Sequence, residues 1–363
     1  MDDGAVIAWE QRYNDDEASA VQHAMNLMIR DRAAFYAEYQ NEPLPREDVS
    51  DDVVSAKEIM TKDSGLPRRT APVGSTKVTA FIDIQMDVLL YAICAWEENF
   101  TGVVVDYGSF PEQTASYWTL KDIRRTLSDE FPRAGLEGAI HDGLQACCQK
   151  ILGLIAREDK AEVPVDVCLI DANWARSTEV VRRFARRSDW AGQVLPAHGR
   201  YVGASSEPLG ETRISKRRKR GERYGYNWQT SIIESQRHLI YDTNFWKSFV
   251  HSRFAVSLGD KGSLSLFKAR PTQHRMFADH LTSEYSVRTE ARGRVVDEWK
   301  QRPEKPDNHW LDCVVGCAAG ASYLGIGLEG QDRRPSQSRG HSQARTRVNL
   351  STPDGRPFFV TAR

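Results

Sequence analysis

Three short apolar segments follow one another closely between residues 77 and 107, and they limit the possible folds more than any other feature. They are residues 77–86 (KVTAFIDIQM), 89–96 (LLYAICAW) and 101–107 (TGVVVDY). All three are rich in β-branched, aromatic and other apolar residues, which favours strands. The gaps between them are too short for a helical crossover, so the pattern predicts an antiparallel meander.

Helical and strand patterns then alternate along the chain. Residues 165–171 (VDVCLID) and 192–196 are predicted strands, whereas 114–131, 134–154 and 177–187 are predicted helices. Strands that follow helices in this way join a sheet in parallel through crossovers. Three antiparallel strands followed by helix, strand, helix and strand are the order of a ribonuclease H-like fold. We therefore expect an α/β domain with a mixed central sheet flanked by helices, in which the first and fourth strands are neighbours.

The second half of the chain begins with a polar loop at residues 203–223 and continues with further elements. Its strongest signal is a helix at residues 308–324, which has Asp307 or Asn308 at the N-cap position. The other predicted elements are a hairpin at residues 227–241, a helix at 242–253 and partial helix at 269–292.

Composition divides the chain into three parts. Residues 1–75 form a helical extension and linker, because apolar residues recur at helical spacing within 5–40 and Pro, Asp and Ser are frequent in 41–75. Residues 76–328 form the ribonuclease H-like domain. Residues 329–363 are rich in Ser, Arg, Gly and Pro, which predicts a basic, disordered tail.

Several classes of protein are excluded by the composition of this 363-residue chain. No Arg- or Lys-led apolar stretch opens it, so a secretory signal is not expected. Its longest uncharged run, residues 313–328, is shorter than the roughly 20 residues that a membrane span needs. Six scattered cysteines without a CxxC pair favour a reduced, cytoplasmic protein and give no support to a structural zinc site.

Positive charge is concentrated between residues 213 and 223, beside Tyr224, Tyr226 and Trp228. Cationic side chains neutralise phosphates and aromatic rings stack on bases, so a nucleic-acid-binding surface is one interpretation. A solvated loop without a function is the other, and charge alone does not separate them. The candidate DNA-binding residues are Arg213, Lys216, Arg217, Arg218, Lys219, Arg220 and Arg223.

Three aspartates occupy positions where a carboxylate is costly unless it is paired or binds a metal. Asp83 lies inside the first strand, Asp171 ends the fourth, and Asp312 lies in the first turn of the last helix. The predicted fold brings these carboxylates together, where divalent cations relieve their repulsion. Two Mg²⁺ or Mn²⁺ ions at such a site suit phosphodiester hydrolysis. Taken singly, an aspartate at the end of a strand is more often a cap or a turn-former than a site residue, but three at the places that this fold requires are much less easily explained in that way.

The last helix carries two further signals. Gly316, Ala319 and Gly320 form a stripe of small residues that lets the helix lie close to the sheet, although ordinary close packing explains the stripe as well. His309 precedes Asp312 by one turn and is an auxiliary candidate. Its possible roles are contact with the scissile phosphate, orientation of a carboxylate, or only capping or packing of the helix. The remaining auxiliary and weaker candidates are Asp106, at the end of the third strand, and Asp87, Asp166 and Glu284.

With these residues identified, the chain resembles the nuclease domain of the large subunit of a lambda-like phage terminase. The matching segments are FIDIQMD at the first strand, VVVDYGSF at the third, CLIDANW at the fourth and NHWLDCVVGCAAGA at the last helix. The resemblance covers residues 76–325, and residues 34–45 (AFYAEYQNEPLP) are similar to the segment that leaves the ATPase domain of such proteins. It implies that Asp83, Asp171 and Asp312 bind the metals of an endonuclease that cuts concatemeric viral DNA.

The resemblance also implies the partners of the chain. They are double-stranded DNA, a small terminase subunit, a portal and, because the sequence has no GxxxxGK[ST] phosphate loop, a separate ATPase domain or chain. The expected location is the cytoplasm of the host cell, with no membrane. Two alternatives stay open: a non-catalytic assembly module of a packaging motor, and another ribonuclease H-like nuclease such as a junction resolvase or an RNA–DNA hybrid nuclease.

Overall fold

The computed structural model of the chain describes residues 17–30, 53–210, 221–305 and 307–327, together with the single residues 6, 35 and 39. Within the predicted N-terminal helix at residues 5–40, a helix is present at Ala20–Arg30. The predicted disordered tail at residues 329–363 and most of the basic run lie outside the described residues.

Strands and helices of the described residues follow one another in a mixed order. The strands are β1 (Thr70–Ala71), β2 (Lys77–Ile84), β3 (Leu89–Trp96), β4 (Gly102–Phe110), β5 (Ile155–Arg157), β6 (Glu162–Val163), β7 (Val167–Asp171), β8 (Val194–Arg200), β9 (Tyr224–Gly225), β10 (Trp228–Ile233), β11 (Gln236–Asp242), β12 (Leu264–Leu266), β13 (Glu284–Ala291) and β14 (Arg294–Gln301). The α-helices are α1 (Ala20–Arg30), α2 (Ala56–Met60), α3 (Leu127–Glu130), α4 (Gly135–Ile151), α5 (Ala175–Arg187), α6 (Thr243–Ala255), α7 (Arg275–Leu281) and α8 (His309–Tyr323).

Nine of the described strands form one mixed sheet in the order β12-β4-β3-β2-β7-β8-β11-β10-β9. The pairs β2–β3 and β3–β4 are antiparallel, whereas β7 pairs in parallel with β2 and β8 in parallel with β7. The prediction of an α/β fold with a large mixed sheet flanked by helices is therefore confirmed. β2 and β7, the first and fourth predicted strands, are neighbours, which is the arrangement expected of a ribonuclease H-like fold.

The two faces of the sheet differ because successive residues of a strand point to opposite sides. On one face, Ala80 and Ile82 of β2 belong to an apolar core that α4 and α5 complete, with Phe184 fully buried among them. On the other face, Phe81 lies against Gly316 of α8. The polar residues that β2 carries are therefore turned toward α8, away from the apolar core.

Residues 53–75, which composition assigned to a linker, pack against the sheet. Ile59 of α2 is fully buried. The backbone N–H of Ser64 donates to the carbonyl of Leu266 at 2.9 Å, and that of Arg69 donates to the carbonyl of Val105 at 2.8 Å. The compact domain consequently begins before residue 76, because hydrogen bonds to β4 and β12 hold this polar segment in place.

The predicted helix at residues 114–131 is wrong for most of its length. It is replaced by a loop, a short 3₁₀-helix at Leu120–Asp122 and the single turn of α3. The side chain of Gln113 explains the difference. Its amide oxygen accepts the backbone N–H groups of Arg124 and Arg125, and its Nε2 donates to the carbonyl of Arg125 at 2.7 Å. Side-chain bonds to the backbone of this kind compete with helix formation.

The partial helix predicted at residues 269–292 ends early. It is present as α7, but the residues from Glu284 onward form β13, which pairs antiparallel with β14. The turn between these strands places Arg292 and Gly293 at φ of 53° and 71°. Two consecutive positive φ angles are typical of a tight two-residue hairpin turn.

The remaining predicted helices are present as α4, α5, α6 and α8, with ends that differ by a few residues from the predicted ones. The predicted hairpin at residues 227–241 is present as β10 and β11. Among the described helices, none has the length and apolar character that crossing a bilayer requires.

Candidate functional site

Asp83 and Asp171 lie side by side at the carboxyl edge of the sheet. β2 and β7 are parallel neighbours and Ile82 pairs with Ile170, so the next residue of each strand is the aspartate. Ile82 and Ile170 both belong to the apolar core on the opposite face. Because side chains alternate along a strand, the two aspartates are on the face that α8 covers. The carboxyl ends of parallel strands are the usual place for a binding site in such sheets.

The third aspartate, Asp312, reaches the same edge because α8 crosses β2 at close range. A Cβ at Gly316 would lie 1.9 Å from the ring of Phe81, whereas one at Gly320 would lie 3.6 Å from Thr79. The helix therefore runs antiparallel to the strand. Four residues of the helix advance about 6 Å and two residues of the strand about 6.6 Å, so each move of four residues along α8 matches a move of two residues along β2. Gly320 lies at Thr79 and Gly316 at Phe81, so the same step places Asp312 beside Asp83 at the end of β2.

The three carboxylates act on one another electrostatically. Burial, and then the charges of Asp83 and Asp312, raise the pKa of Asp171 to about 7. Burial also raises the pKa of Asp312, and Asp83 is among the carboxylates that raise it further. The buried hydroxyl of Tyr241 has a pKa well above its ordinary value because of burial and of all three aspartates. The three side chains therefore share one electrostatic environment.

Lys247 and Glu284 join this group from two other elements. The Nζ of Lys247, on α6, lies 2.6 Å from Oε1 of Glu284 and 3.3 Å from Oδ1 of Asp312. Asn308, just before α8, donates to the same Glu284 oxygen at 2.6 Å. Glu284 was a weak candidate in the sequence and Lys247 was not a candidate at all, because a lone lysine in a predicted helix gives no signal.

His309 contacts Asp83 at the start of α8. Its Nδ1 lies 2.8 Å from Oδ2 of Asp83, and Nε2 of Gln85 donates to the same oxygen at 2.9 Å. Burial alone would lower the pKa of His309, but the hydrogen bond to Asp83 and its charge outweigh burial and raise it. His309 is therefore placed to orient a carboxylate, which is one of the roles that the sequence left open.

Asp106, the other auxiliary candidate, has a different environment. It is only 2% exposed, and its two oxygens accept hydrogen bonds from Arg68 at 2.7 Å and Arg69 at 3.1 Å. Arg68 also donates to the carbonyl of Tyr107 at 2.6 Å. These contacts join β4 to the segment before β2, so the structure explains the burial of Asp106 by ion pairs within the fold.

The basic run is described only at its end. Arg213, Lys216, Arg217, Arg218, Lys219 and Arg220 lie outside the described residues. The guanidinium of Arg223 donates to the carbonyl of Tyr323 at 2.9 Å and lies 4.4 Å from the centre of the Tyr323 ring. Arg223 therefore holds the start of β9 against the end of α8.

The chemistry of the three aspartates fits a divalent cation. Carboxylate oxygens are the ligands that Mg²⁺ and Mn²⁺ prefer, and a cation would offset the repulsion that raises the pKa of Asp171. Within the part of the chain that the structure describes, no set of three or more His, Cys, Asp or Glu side chains is arranged to hold a metal ion. Asp83 and Asp312 are instead in contact with His309 and Lys247. Metal binding and catalysis by the three aspartates stay predictions.

Comparison with known proteins identifies one family. The family described as terminase large subunit gpA, endonuclease domain, matches residues 31–333 of the chain, which include the whole mixed sheet and all three aspartates. No curated protein and no solved structure matches the chain. Because the match covers most of its length, the chain belongs to the family of the terminase large subunit gpA endonuclease domain, which has a nuclease role in DNA packaging.

Proposed function

We propose that the chain is a metal-dependent endonuclease that cuts concatemeric double-stranded DNA during viral DNA packaging. The observation that carries this proposal is the convergence of Asp83, Asp171 and Asp312 at one edge of the sheet, where repulsion and burial raise the pKa of Asp171 to about 7. Carboxylates crowded in this way are costly for a fold. A site for Mg²⁺ or Mn²⁺ and a DNA phosphate explains why they are there.

In this proposal, Asp83, Asp171 and Asp312 hold two Mg²⁺ or Mn²⁺ ions. When bound, the ions supply an activated water and stabilise the leaving 3′-oxygen of an in-line hydrolysis. Asp171 releases its proton before it acts as a ligand, because carboxylates bind metals in their ionised form. Gln85 and His309 orient the Asp83 carboxylate through contacts of 2.9 and 2.8 Å.

The DNA backbone contacts the basic run in this proposal. Arg223 is engaged with Tyr323, so the contribution to DNA binding falls mainly on the residues before it. Contacts to phosphates position DNA but do not read its bases, so the isolated chain should have weak sequence preference. The proposed contact residues are Arg213, Lys216, Arg217, Arg218, Lys219 and Arg220.

The partners that we propose follow from the family. A small terminase subunit selects the packaging site, a portal receives the DNA, and a separate ATPase domain or chain drives translocation. The reaction takes place in the cytoplasm of the host cell. None of these partners is needed for the hydrolysis itself, so the isolated chain should cut DNA without them.

Cleavage of supercoiled plasmid by the purified chain tests the proposal. With Mn²⁺ or Mg²⁺ we expect nicked and linear products, and EDTA should stop the reaction. Asp83→Ala and Asp171→Asn should each lower the rate by more than about 100-fold, because loss of groups that merely support metal ligands already costs about 10–100-fold. Asp106→Asn is the matched control: it removes a buried carboxylate of the same sheet and should leave the rate per folded molecule nearly unchanged.

Three results would contradict this proposal. Cleavage that survives both aspartate substitutions would assign the activity to other residues. If the purified chain neither cleaves DNA nor binds Mn²⁺, the non-catalytic assembly module would be favoured. Faster cutting of four-way junctions or RNA–DNA hybrids than of linear duplex would favour another ribonuclease H-like nuclease.

The salt dependence of DNA binding tests the basic run. Replacement of the five consecutive cations from Lys216 to Arg220 with Ser should weaken duplex binding and flatten the plot of log K against log salt. Each lost phosphate contact should reduce the slope by about 0.9, because fewer counterions are released on binding. Serine substitutions at the exposed Arg288 and Arg292 of the β13–β14 hairpin are the control. An unchanged slope in the five-residue variant would exclude DNA contact by the run.

A further inference from the structure

Lys247 is a buried cation whose position the nuclease proposal does not yet explain. It lies in the middle of α6 and is only 8% exposed. Its Nζ is 2.6 Å from Oε1 of Glu284 and 3.3 Å from Oδ1 of Asp312. A buried ammonium group is costly unless it is paired and hydrogen-bonded, so these two carboxylates are what keeps it in the interior.

The two partners of Lys247 come from separate elements that meet at the site. Glu284 begins β13, is 4% exposed and also accepts a hydrogen bond from Asn308 at 2.6 Å. Asp312 is in the first turn of α8. Lys247 therefore connects α6, the β13–β14 hairpin and α8 at one point. Without its charge, Glu284 and Asp312 would be two crowded carboxylates with no ammonium group between them.

The charge of Lys247 also affects the binding of a metal ion at the site. Asp83, Asp171, Asp312 and Glu284 supply four carboxylates, and the ammonium of Lys247 is bonded to two of them. A divalent ion that uses Asp312 as a ligand has to share that carboxylate with Lys247 or displace it. The same ammonium therefore supports the site before a metal arrives and opposes the metal when it binds.

We propose that Lys247 is a positioning residue, a built-in counter-ion that holds Asp312 in place in the metal-free protein and competes with the divalent ion for this carboxylate. The competition rests on the proposed function, because it takes Asp312 as a metal ligand. The counter-ion role rests only on the contacts of Lys247 with Glu284 and Asp312. The chain consequently folds without metal and binds the metal less tightly than its carboxylates alone would.

Thermal unfolding of the full chain in EDTA and in Mn²⁺ tests both roles. Lys247→Met keeps the length and apolar stem of the side chain but removes the charge, and Lys247→Arg keeps the charge. In EDTA, Lys247→Met should lower the melting temperature by about 5–10 °C, because an unpaired buried charge is strongly destabilising. Saturating Mn²⁺ should restore most of this loss. Lys247→Arg should remain close to the wild-type protein in both conditions.

A packing role for Lys247 gives different results. If the lysine only fills space, Lys247→Met has no effect in EDTA, or loses the same stability in EDTA and in Mn²⁺, and either result would overturn the proposal. The double variant Lys247→Met, Asp312→Asn adds a check in EDTA. It should unfold at a higher temperature than Lys247→Met alone, because the second change removes one of the crowded charges. An equal or lower melting temperature would overturn the counter-ion role.

Mn²⁺ titration followed by electron paramagnetic resonance measures the competition directly. Lys247→Met should bind Mn²⁺ about tenfold more tightly than the wild-type protein, because a positive charge beside a ligand has been removed. Unchanged or weaker binding would overturn the competition. These measurements use no DNA and no cleavage. If the wild-type protein did not bind Mn²⁺, the metal site of the proposed function would fail, and the EDTA comparison with the double variant would still decide the counter-ion role.

Discussion

Two acidic regions of the same sheet are neutralised to different extents. On β4, the single carboxylate of Asp106 is bonded to two arginines, Arg68 and Arg69. At the ends of β2 and β7 and the start of α8, three aspartates repel one another. Among the described residues, the cationic or partly cationic side chains in contact with them are Lys247 and His309. Burial alone therefore does not identify a functional carboxylate. The number of cations bonded to each carboxylate separates the two regions better.

The region of the three aspartates depends on the close approach of α8 to β2. Gly316→Ala should prevent this approach. The new Cβ would lie 1.9 Å from the ring of Phe81, which is only 1% exposed and has little room to move. We expect a loss of about 3 kcal/mol in the free energy of unfolding, as for other overpacked cores, together with reduced nuclease activity. Urea unfolding and plasmid cleavage measure the two effects.

Gly320→Ala is the matched control for this prediction. It lies one turn further along the same face of α8, but its nearest neighbour would be 3.4 Å away, at Leu169. We expect a change of less than about 1 kcal/mol, because helix propensity gained from alanine offsets the tighter contact. Equal losses in the two variants would show that the approach at Gly316 has no special role.

Replacement of one aspartate in each region should change stability in opposite directions at pH 7.5. Asp106→Asn should lower the free energy of unfolding by about 2–3 kcal/mol, because it weakens charged hydrogen bonds to Arg68 and Arg69. Asp171→Asn should raise it by about 1–2 kcal/mol in EDTA, because it removes a carboxylate whose ionisation the fold opposes. Urea unfolding of both variants measures this. A loss of stability in Asp171→Asn would remove the distinction between the regions.

The pH dependence of stability should show the same contrast with a smaller effect. The folded protein raises the pKa of Asp171 to about 7, so between about pH 4 and 7 the folded state retains a proton that the unfolded state has lost. Stability from this group therefore falls as pH rises through that window. The difference in the free energy of unfolding between Asp171→Asn and the wild-type protein should therefore grow by about 2 kcal/mol from pH 5 to 7 in EDTA, because one retained proton changes stability by about 1.4 kcal/mol per pH unit. A difference in the free energy of unfolding that does not change between pH 5 and 7 would contradict the pKa of about 7 for Asp171.

The sequence predicts the centre of the fold because its signals there are local. Apolar runs define β2, β3, β4 and β7, and their order requires β2 and β7 to be neighbours. The positions of Asp83 and Asp171 at the ends of these strands then follow. The small-residue stripe of α8 similarly indicates the close approach that brings in Asp312.

The partners of these carboxylates could not be predicted because they depend on contacts between distant segments. Lys247 and Glu284 belong to α6 and β13, and neither residue type is unusual in such elements. The ion pairs of Asp106 could not be foreseen, because its partners Arg68 and Arg69 lie in a segment whose composition predicts a linker. Asp106 therefore remained a candidate for the site. The turn at Arg292 and Gly293 was missed because Arg-Gly is a weaker hairpin signal than Asn-Gly.

The antiparallel passage of α8 over β2 also determines where the chain can change in length. One residue inserted between Asp312 and Gly320 would rotate the start of α8 by about 100° relative to the sheet and move Asp312 away from β2. The tip of the β13–β14 hairpin has no such restriction, because Gly293 has open space where a side chain would be. In an alignment of relatives, we therefore expect gaps at this tip and none within the interval from Asp312 to Gly320.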